Sequence, residues 1–368
     1  MPRISILREI EIEDTPRVVQ TRGIFDIKKT THSTRRWEFD LEIPESWTIG
    51  MIVGPSGSGK STLARELWGD AHENPHEWDR ETAIVEGFPR EHGISDILST
   101  LSSVGFSSPL AWLKPYHVLS TGEKFRCDVA RAIMGAEDLC VVDEFTSVVD
   151  RNVAQICSAA VGKFVRRRGS RFVAVSCHND IADWLCPDWI VEMPSGRITL
   201  ARGGLCRPEI QLQVVRCSRD LWPIFREHHY LDSELSTMAT CFCAIYKKRV
   251  VAFSAWLHFP HPVEKKFKRA HRTVTLPDFQ GVGIGNALSE TIASMYFGLG
   301  YRPISTTTHP AMIRSRRNSD NWRVSCGANF RARPNHVTKT ATNRRVTSFE
   351  YVGPKMSFVD ALRLNGKK

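Results

Sequence analysis

Residues 54–62 read Gly54-Pro55-Ser56-Gly57-Ser58-Gly59-Lys60-Ser61-Thr62, and this stretch decides the fold of the half that surrounds it. The apolar run Ile49-Gly50-Met51-Ile52-Val53 precedes it and reads as a buried strand. Leu63-Ala64-Arg65-Glu66-Leu67-Trp68 follows and reads as a helix. Strand, glycine loop and helix is the context in which Gly-x-x-x-x-Gly-Lys-Ser cradles phosphate. Glycines let backbone N–H groups turn toward an anion without a clash. The N-terminus of the following helix adds partial positive charge. In this pattern Lys60 reaches the β- and γ-phosphates and Ser61 ligates Mg²⁺.

Four further segments follow in order. Leu119-Ser120-Thr121-Gly122-Glu123-Lys124 opens a helical run, and Asp138-Leu139-Cys140-Val141-Val142-Asp143-Glu144 is a buried strand ending in two carboxylates. Ser147-Val148-Val149-Asp150 comes next, and Phe172-Val173-Ala174-Val175-Ser176-Cys177-His178 is an apolar strand ending in a histidine. Phosphoryl transfer to water needs positioning and charge neutralisation more than covalent chemistry. Asp143 at a strand end suits Mg²⁺, and Glu144 beside it suits orienting a water.

This order of parts, over roughly residues 20–200, resembles the ABC-type ATPases. Leu119 to Glu123 is similar to their signature motif, with Thr and Glu replacing a Gly and a Gln. Asp143 resembles the Walker B aspartate and Glu144 the adjoining catalytic glutamate. Ser147 to Asp150 resembles the D-loop, and His178 the switch histidine. The resemblance implies ATP and Mg²⁺ as cofactors, with Gly54 to Thr62, Ser120, Gly122 and Asp150 at the nucleotide. It also implies an ATP-dependent head-to-tail homodimer in which Ser120 and Gly122 act on the partner's nucleotide. About sixty residues separate Lys60 from Ser120, fewer than in transporter cassettes, so the helical subdomain is expected to be reduced and coupling to a transporter is disfavoured.

The pattern changes near residue 205, after a glycine-containing linker. Met238 to Tyr246 and Val250 to Leu257 read as two strands joined by the basic turn Lys247-Lys248-Arg249. A strand, Arg272 to Pro277, leads into Gln280-Gly281-Val282-Gly283-Ile284-Gly285-Asn286 and a helix, Ala287 to Tyr296. Over residues 207–353, Gln-x-x-Gly-x-Gly between strand and helix resembles the loop of GNAT acyltransferases. The resemblance implies that the amides of Gln280 to Asn286 bind the pyrophosphate of acetyl-CoA or another acyl-CoA. The whole resembles a fusion of an ABC-type ATPase with a predicted acetyltransferase, found in prokaryotes and their phages. Phe225-Arg226-Glu227-His228-His229-Tyr230-Leu231 is similar to Mom-type DNA adenine modification proteins; His228 and Tyr230 are candidates for acid/base or metal roles, and the acyl-transfer base stays unassigned.

The expected fold is therefore α/β. A P-loop NTPase of ABC type, with a RecA-like core, is followed by a GNAT-like mixed α/β domain. The expected boundaries are 1–204, 205–353 and a basic tail at 354–368. Charge supports the division: residues 201–368 carry 27 Lys and Arg against 11 Asp and Glu, while the rest of the chain is net acidic. That asymmetry points to an anionic partner, nucleic acid among them. The cluster Arg314-Ser315-Arg316-Arg317 with Trp322 and Arg323 is basic with an aromatic nearby. No apolar stretch approaches the ~20 residues that span a bilayer. Residues 1–17 are acidic without an apolar core, unlike a leader, and the scattered cysteines suit reduced thiols, so a cytoplasmic protein is expected. Two functions follow: an ATP-hydrolysing clamp carrying an acyl-CoA transferase, or an ATP-gated nucleic-acid binder whose second half is a non-catalytic docking module.

Overall fold

A computed structural model describes residues 3–71, 77–201, 204, 209–229, 234–261, 264–326 and 346–366. Tyr230, the linker residues 202–203 and 205–208, Arg344, Arg345, Lys367 and Lys368 lie outside them. The chain divides into two compact units, each discontinuous in sequence: residues 1–74, 136–147 and 165–205 form the first, and residues 75–135, 148–164 and 206–368 the second.

The chain opens with strand β1 (Arg3–Glu11), helix α1 (Pro16–Phe25) and strand β2 (His32–Asp40). β1 and β2 pair antiparallel as a separate ribbon, Arg3 opposite Asp40 and Glu11 opposite His32. Strand β3 (Ile49–Val53) then runs into helix α2 (Lys60–Trp68). Helices α3 (Ile94–Ser103), α4 (Pro109–Trp112) and α5 (Thr121–Gly135) follow, then strand β4 (Leu139–Val142), helix α6 (Arg151–Arg168), strand β5 (Arg171–Ser176), helix α7 (Ile181–Leu185), and strands β6 (Trp189–Glu192) and β7 (Arg197–Leu200).

The main sheet of the first unit has the order β4-β5-β3-β6-β7. β3 lies at its centre, parallel to β5 and β6, and only β7 is antiparallel. Strands buried on both faces read as continuous apolar runs, and every residue of β3 is buried. Gly50 is required there, because a Cβ would lie 2.0 Å from the Trp189 ring. Trp189, fully buried, meets Trp47 edge-on at 5.2 Å and Trp68 at 6.0 Å. This aromatic layer fixes α2 against the sheet. Parallel strands order the loops at their C-terminal ends, where ligands of such sheets bind.

The rest of the second unit continues with strand β8 (Gln213–Cys217), helix α8 (Trp222–Arg226), strands β9 (Thr240–Tyr246), β10 (Arg249–His258) and β11 (Phe267–Thr275), helix α9 (Ile284–Gly298), strand β12 (Arg302–Thr307), helix α10 (Pro310–Arg317), strands β13 (Trp322–Cys326) and β14 (Thr347–Tyr351), and helix α11 (Phe358–Leu364). These strands form one mixed sheet, β13-β14-β12-β11-β10-β9-β8. Its single parallel pair, β11 with β12, runs only from Phe267–Arg302 to Ala270–Ser305. β11 then continues beside β10 alone, as far as Thr275 opposite Ala252, to the loop before α9.

One face of this sheet packs Phe242, Trp256, Leu288, Ile292, Tyr296 and Phe349 with Ile156 of α6. The other face packs Phe253, Ala255 and Val274 with Trp222 and Phe225 of α8. The expected β9–β10 hairpin is present; Lys247 and Lys248 turn it with φ of 46° and 65°.

Several expectations are corrected. Residues 354–368 are not a simple tail, because they contain α11, whose Ala361 is buried in the core. The Arg314–Arg317 cluster is helical, and Arg316 is buried, bonded to Ser305 and Ser289 (3.0 Å) and lying 4.5 Å over the Trp322 ring. Burial pushes its guanidinium down to about 10. Arg316 is thus part of the core and not of a nucleic-acid surface. Among the described residues seven cysteines are free thiols, but Cys186 is disulfide-bonded, against the expectation of reduced cysteines. Among the described residues, no helix is long and apolar enough to cross a membrane.

Candidate functional site

The loop from Gly54 to Gly59 joins β3 to α2, and Pro55, Ser56 and Gly57 face solvent. Gly57 and Gly59 have φ of 75° and 95°, in the region that favours glycine. A Cβ on Gly54 would lie 2.5 Å from the Met193 carbonyl oxygen, and one on Gly59 would lie 2.8 Å from the Trp37 ring. The loop is therefore held against its own support, and the Ser58 amide closes it by donating to the Pro55 carbonyl at 3.2 Å. Arg35 donates to the Gly57 carbonyl at 3.0 Å. Lys60 is 7 % exposed, and its Nζ donates to the Pro55 carbonyl at 2.9 Å. A buried ammonium on one carbonyl of its own loop is aimed at the place of an anion. Ser61 and Thr62 occupy the first turn of α2.

These residues fit a magnesium nucleotide. The loop amides and Lys60 suit the phosphates; the Ser61 hydroxyl and the Asp143 carboxylate are oxygen donors of the kind Mg²⁺ takes. Mg²⁺ keeps several waters and phosphate oxygens, so it needs no cluster of protein carboxylates. Among the described residues there is no group of three or more His, Cys, Asp or Glu placed to hold a metal by itself.

Asp143 and Glu144 follow β4. The Glu144 amide donates to Asp143 Oδ1 at 2.9 Å, and the Glu144 side chain faces solvent. Glu144 and Thr146 adopt φ of 51° and 65°, left-handed values that are strained for such residues. Phe145 between them is fully buried, meets Phe172 edge-on at 5.7 Å, and donates its amide to the Val175 carbonyl at 2.9 Å. Burying Phe145 turns Glu144 outward. His178, partly exposed, donates its amide to Ser176 Oγ at 3.2 Å. The carboxylates and the histidine thus follow the adjacent parallel strands β4 and β5. Ser176 was not singled out there; its signal is a lone hydroxyl in the apolar run 172–176.

Ser120, Gly122 and Asp150 belong to the second unit. Ser120 and Glu123 form a reciprocal cap on α5: the Glu123 carboxylate accepts from the Ser120 amide (3.0 Å) and hydroxyl (2.9 Å), while Ser120 Oγ accepts from the Glu123 amide (3.3 Å). Glu123 thus serves as the capping partner of Ser120. Asp150 Oδ1 caps α6, accepting from Asn152 (2.9 Å) and Val153 (3.2 Å). Around Gly122, an added Cβ would lie 3.4 Å from Arg126 and 3.5 Å from Asp278 of the C-terminal portion.

The Gln280–Asn286 loop opens α9 as expected, but its first residues are engaged by the chain itself. Gln280, 8 % exposed, accepts from the Ser107 amide at 2.6 Å and donates to the Thr275 carbonyl at 2.9 Å. A Cβ on Gly281 would lie 2.7 Å from the Gly105 Cα, and one on Gly105 would lie 2.9 Å from the Gln280 carbonyl oxygen. His309, at the start of α10, bonds the Ser107 carbonyl at 3.3 Å. Gly283, the N-cap of α9 with φ 94°, has open space, whereas Gly285 packs close to Thr275. Val282 and Asn286 are partly exposed, and Ile284 is buried. No local pattern in residues 104–108 announced this contact.

His228 is half-buried just past α8, and its amide donates to the Phe225 carbonyl at 3.1 Å. The Tyr230 candidate lies outside the described residues. Glu290 of α9 accepts from Ser319, Asn321 and Trp322.

No protein-family model matches the chain. It is 27 % identical over 215 residues to Protein STAR1 of Oryza sativa subsp. japonica, covering 47 % of this chain and 62 % of that protein. It is 26 % identical over 208 residues to the methionine import ATP-binding protein MetN of Symbiobacterium thermophilum, covering 46 % and 61 %. Over 129 residues it is 32 % identical to the zinc import ATP-binding protein ZnuC 1 of Hahella chejuensis, covering 30 % and 49 %. The chain thus spans about half to three-fifths of these relatives. Among solved structures, the dimeric bacterial ABC transporter cassette MJ0796 aligns at 18 % identity and a TM-score of 0.38, covering 46 % of this chain and 94 % of that one. Over about half its length the chain is thus similar to ABC-type ATP-binding proteins.

Proposed function

We propose that the chain is an ATP-hydrolysing cassette of ABC type, acting as a head-to-tail dimer, whose C-terminal portion is a non-catalytic docking module for nucleic acid. The observation that carries this reading is the commitment of Gln280 and Gly281 to residues 105–107. A loop that would receive a coenzyme pyrophosphate instead receives the helical layer that carries the signature turn. The net charge of the C-terminal half favours a polyanion as the docked partner.

In this reading the Gly54–Thr62 loop and Lys60 bind the triphosphate, and Ser61 and Asp143 hold Mg²⁺, which neutralises charge on the phosphates when bound. Glu144 orients water for attack on the γ-phosphate and accepts its proton. His178 holds the γ-phosphate and Glu144 in register. Ser120 and Gly122 of one protomer complete the site of the other. Localisation in the cytoplasm belongs to the same proposal.

A second reading, acyl-CoA-dependent N-acyl transfer, is favoured by the mixed sheet, the hairpin-strand-loop-helix order and the open space at Gly283. Calorimetry separates the two. The docking reading expects no heat with acetyl-CoA, and nucleic-acid affinity that falls by about 0.7–0.9 log units per phosphate contact per tenfold rise in salt. Heat with acetyl-CoA that Gly283→Asp abolishes establishes coenzyme binding at this loop and overturns the docking reading. Phosphate release from Mg-ATP by the intact chain tests the ATPase.

A further inference from the structure

We propose that Ser176 is a positioning residue for ATP hydrolysis, one hydroxyl that sets the turn carrying Glu144 and the segment carrying His178 at the same time. This rests on the ATPase reading above. Ser176 ends β5 and is 1 % exposed. Its hydroxyl donates to the Phe145 carbonyl at 2.9 Å and accepts from the His178 amide at 3.2 Å. An O–H has one proton to give and lone pairs to receive with, so both bonds form together without conflict.

The first bond acts on a strained turn. Glu144 and Thr146 both hold left-handed backbone, and such conformations persist only where the surroundings over-determine them. Phe145 supplies that determination through its buried ring, its amide on Val175 and its carbonyl on Ser176. Loss of the hydroxyl leaves the ring and the amide bond but frees the carbonyl, which is the side nearest Thr146 and Ser147. Ser147 in turn donates its amide to the Glu144 carbonyl at 2.9 Å, so slack there reaches Glu144.

The second bond acts on the segment after β5. Cys177 is exposed and His178 only partly covered, so the Ser176 hydroxyl is the anchor observed at the His178 amide. An apolar residue at 176 would continue the strand equally well but leave the two segments independent. Geometry at a reacting centre is demanding; a misplacement of about 1 Å can cost ~10²-fold in rate.

The test compares Ser176→Thr with Ser176→Val, which have nearly the same shape and differ in the hydroxyl, alongside Ser176→Ala. In the full-length chain Ser176→Val and Ser176→Ala are expected to lower kcat about tenfold, the equivalent of roughly 1.4 kcal/mol. KM and the affinity for a fluorescent ATP analogue stay within about twofold, and Ser176→Thr retains most of the activity. In a His178→Ala background the Ser176→Ala effect shrinks, because the side chain that the second bond positions is already gone. Equal kcat for the Thr and Val variants, additive effects with His178→Ala, or nucleotide affinity falling in step with kcat each overturn the proposal. Should Thr prove too large, Ser176→Ala and the double-variant cycle still decide. A wild-type chain that binds Mg-ATP without turning it over overturns the ATPase reading instead, a result distinct from a wild type that hydrolyses no faster than Ser176→Ala.

Discussion

The backbone amide of Ser107 donates to the side-chain oxygen of Gln280 at 2.6 Å, across 173 residues of sequence. The bond ties the loop after α3 to the loop before α9. The Gln280 amide end is fixed to Thr275, so the side chain is held from both sides. Gln280→Ala leaves the Ser107 N–H and the Thr275 carbonyl without this partner in a partly buried place. We expect a loss of about 1–3 kcal/mol, measured by denaturant unfolding of the full chain. An unchanged midpoint would show that this contact does not hold the two segments together.

Gly281 and Gly283 give an internal comparison. Their φ values are 93° and 94°, so alanine strains both backbones alike, by about 1–2 kcal/mol. Only Gly281→Ala also drives a methyl into Gly105 and Ala160. Gly281→Ala should therefore be clearly the more destabilising, by thermal melting, while Gly283→Ala stays near the strain value.

Lys60→Ala removes the only lysine of the phosphate loop. A charged hydrogen bond of this kind contributes about 1.5–3 kcal/mol, so affinity for Mg-ATP should fall at least tenfold and hydrolysis should be lost. Titration of a fluorescent ATP analogue measures the first and phosphate release the second.

Glu144→Gln keeps the shape of the side chain and removes its capacity to accept a proton. Turnover is expected to fall by about 10²–10⁴, with ATP retained and a dimer trapped, visible by light scattering on a sizing column. Hydrolysis at the wild-type rate would remove Glu144 from its role.

Acid should weaken the second unit through His271. Burial, with Arg272 and Arg269 beside it, lowers the imidazole from 6.5 to about 4. Between those values the unfolded chain binds the proton and the folded one does not, so stability rises with pH over that window. Below about pH 4 the contribution no longer changes. His271→Gln should flatten the dependence between pH 4 and 6.5; an identical slope would assign it to other groups.

Much of the first unit was legible because its signals are local. Ile49–Val53 reads as a strand from its apolar run, and the glycines and Lys60 fall where strand and helix meet. The paired carboxylates and His178 end apolar strands, so their position on a parallel sheet follows from order alone. The β9–β10 hairpin was readable from two β-rich runs around Lys247-Lys248, even without the Asn-Gly pair that favours such turns.

What was not legible is tertiary. Nothing in Val104-Gly105-Phe106-Ser107-Ser108 marks it as the partner of Gln280, and nothing in Arg316 distinguishes a core guanidinium from a surface one. Nor does the sequence around Glu290 mark its three donors, Ser319, Asn321 and Trp322, which come from beyond β12 and α10. The Ser176 hydroxyl carried a signal, a polar atom in an apolar strand, whose meaning depended on which strand lies beside it.

The discontinuity of the second unit bears on biosynthesis. Ile156 of α6 lies in a core whose other walls come from residues beyond 209, and Gly105 meets Gly281. At ribosomal rates of about 5–20 residues per second, residue 105 waits on the order of ten seconds or longer for its partner to emerge. Through that interval the nascent helices present uncovered apolar faces, a natural target for chaperones. A gene cut after codon 204 would make that exposure permanent, so the two halves of this chain are inherited as one folding problem.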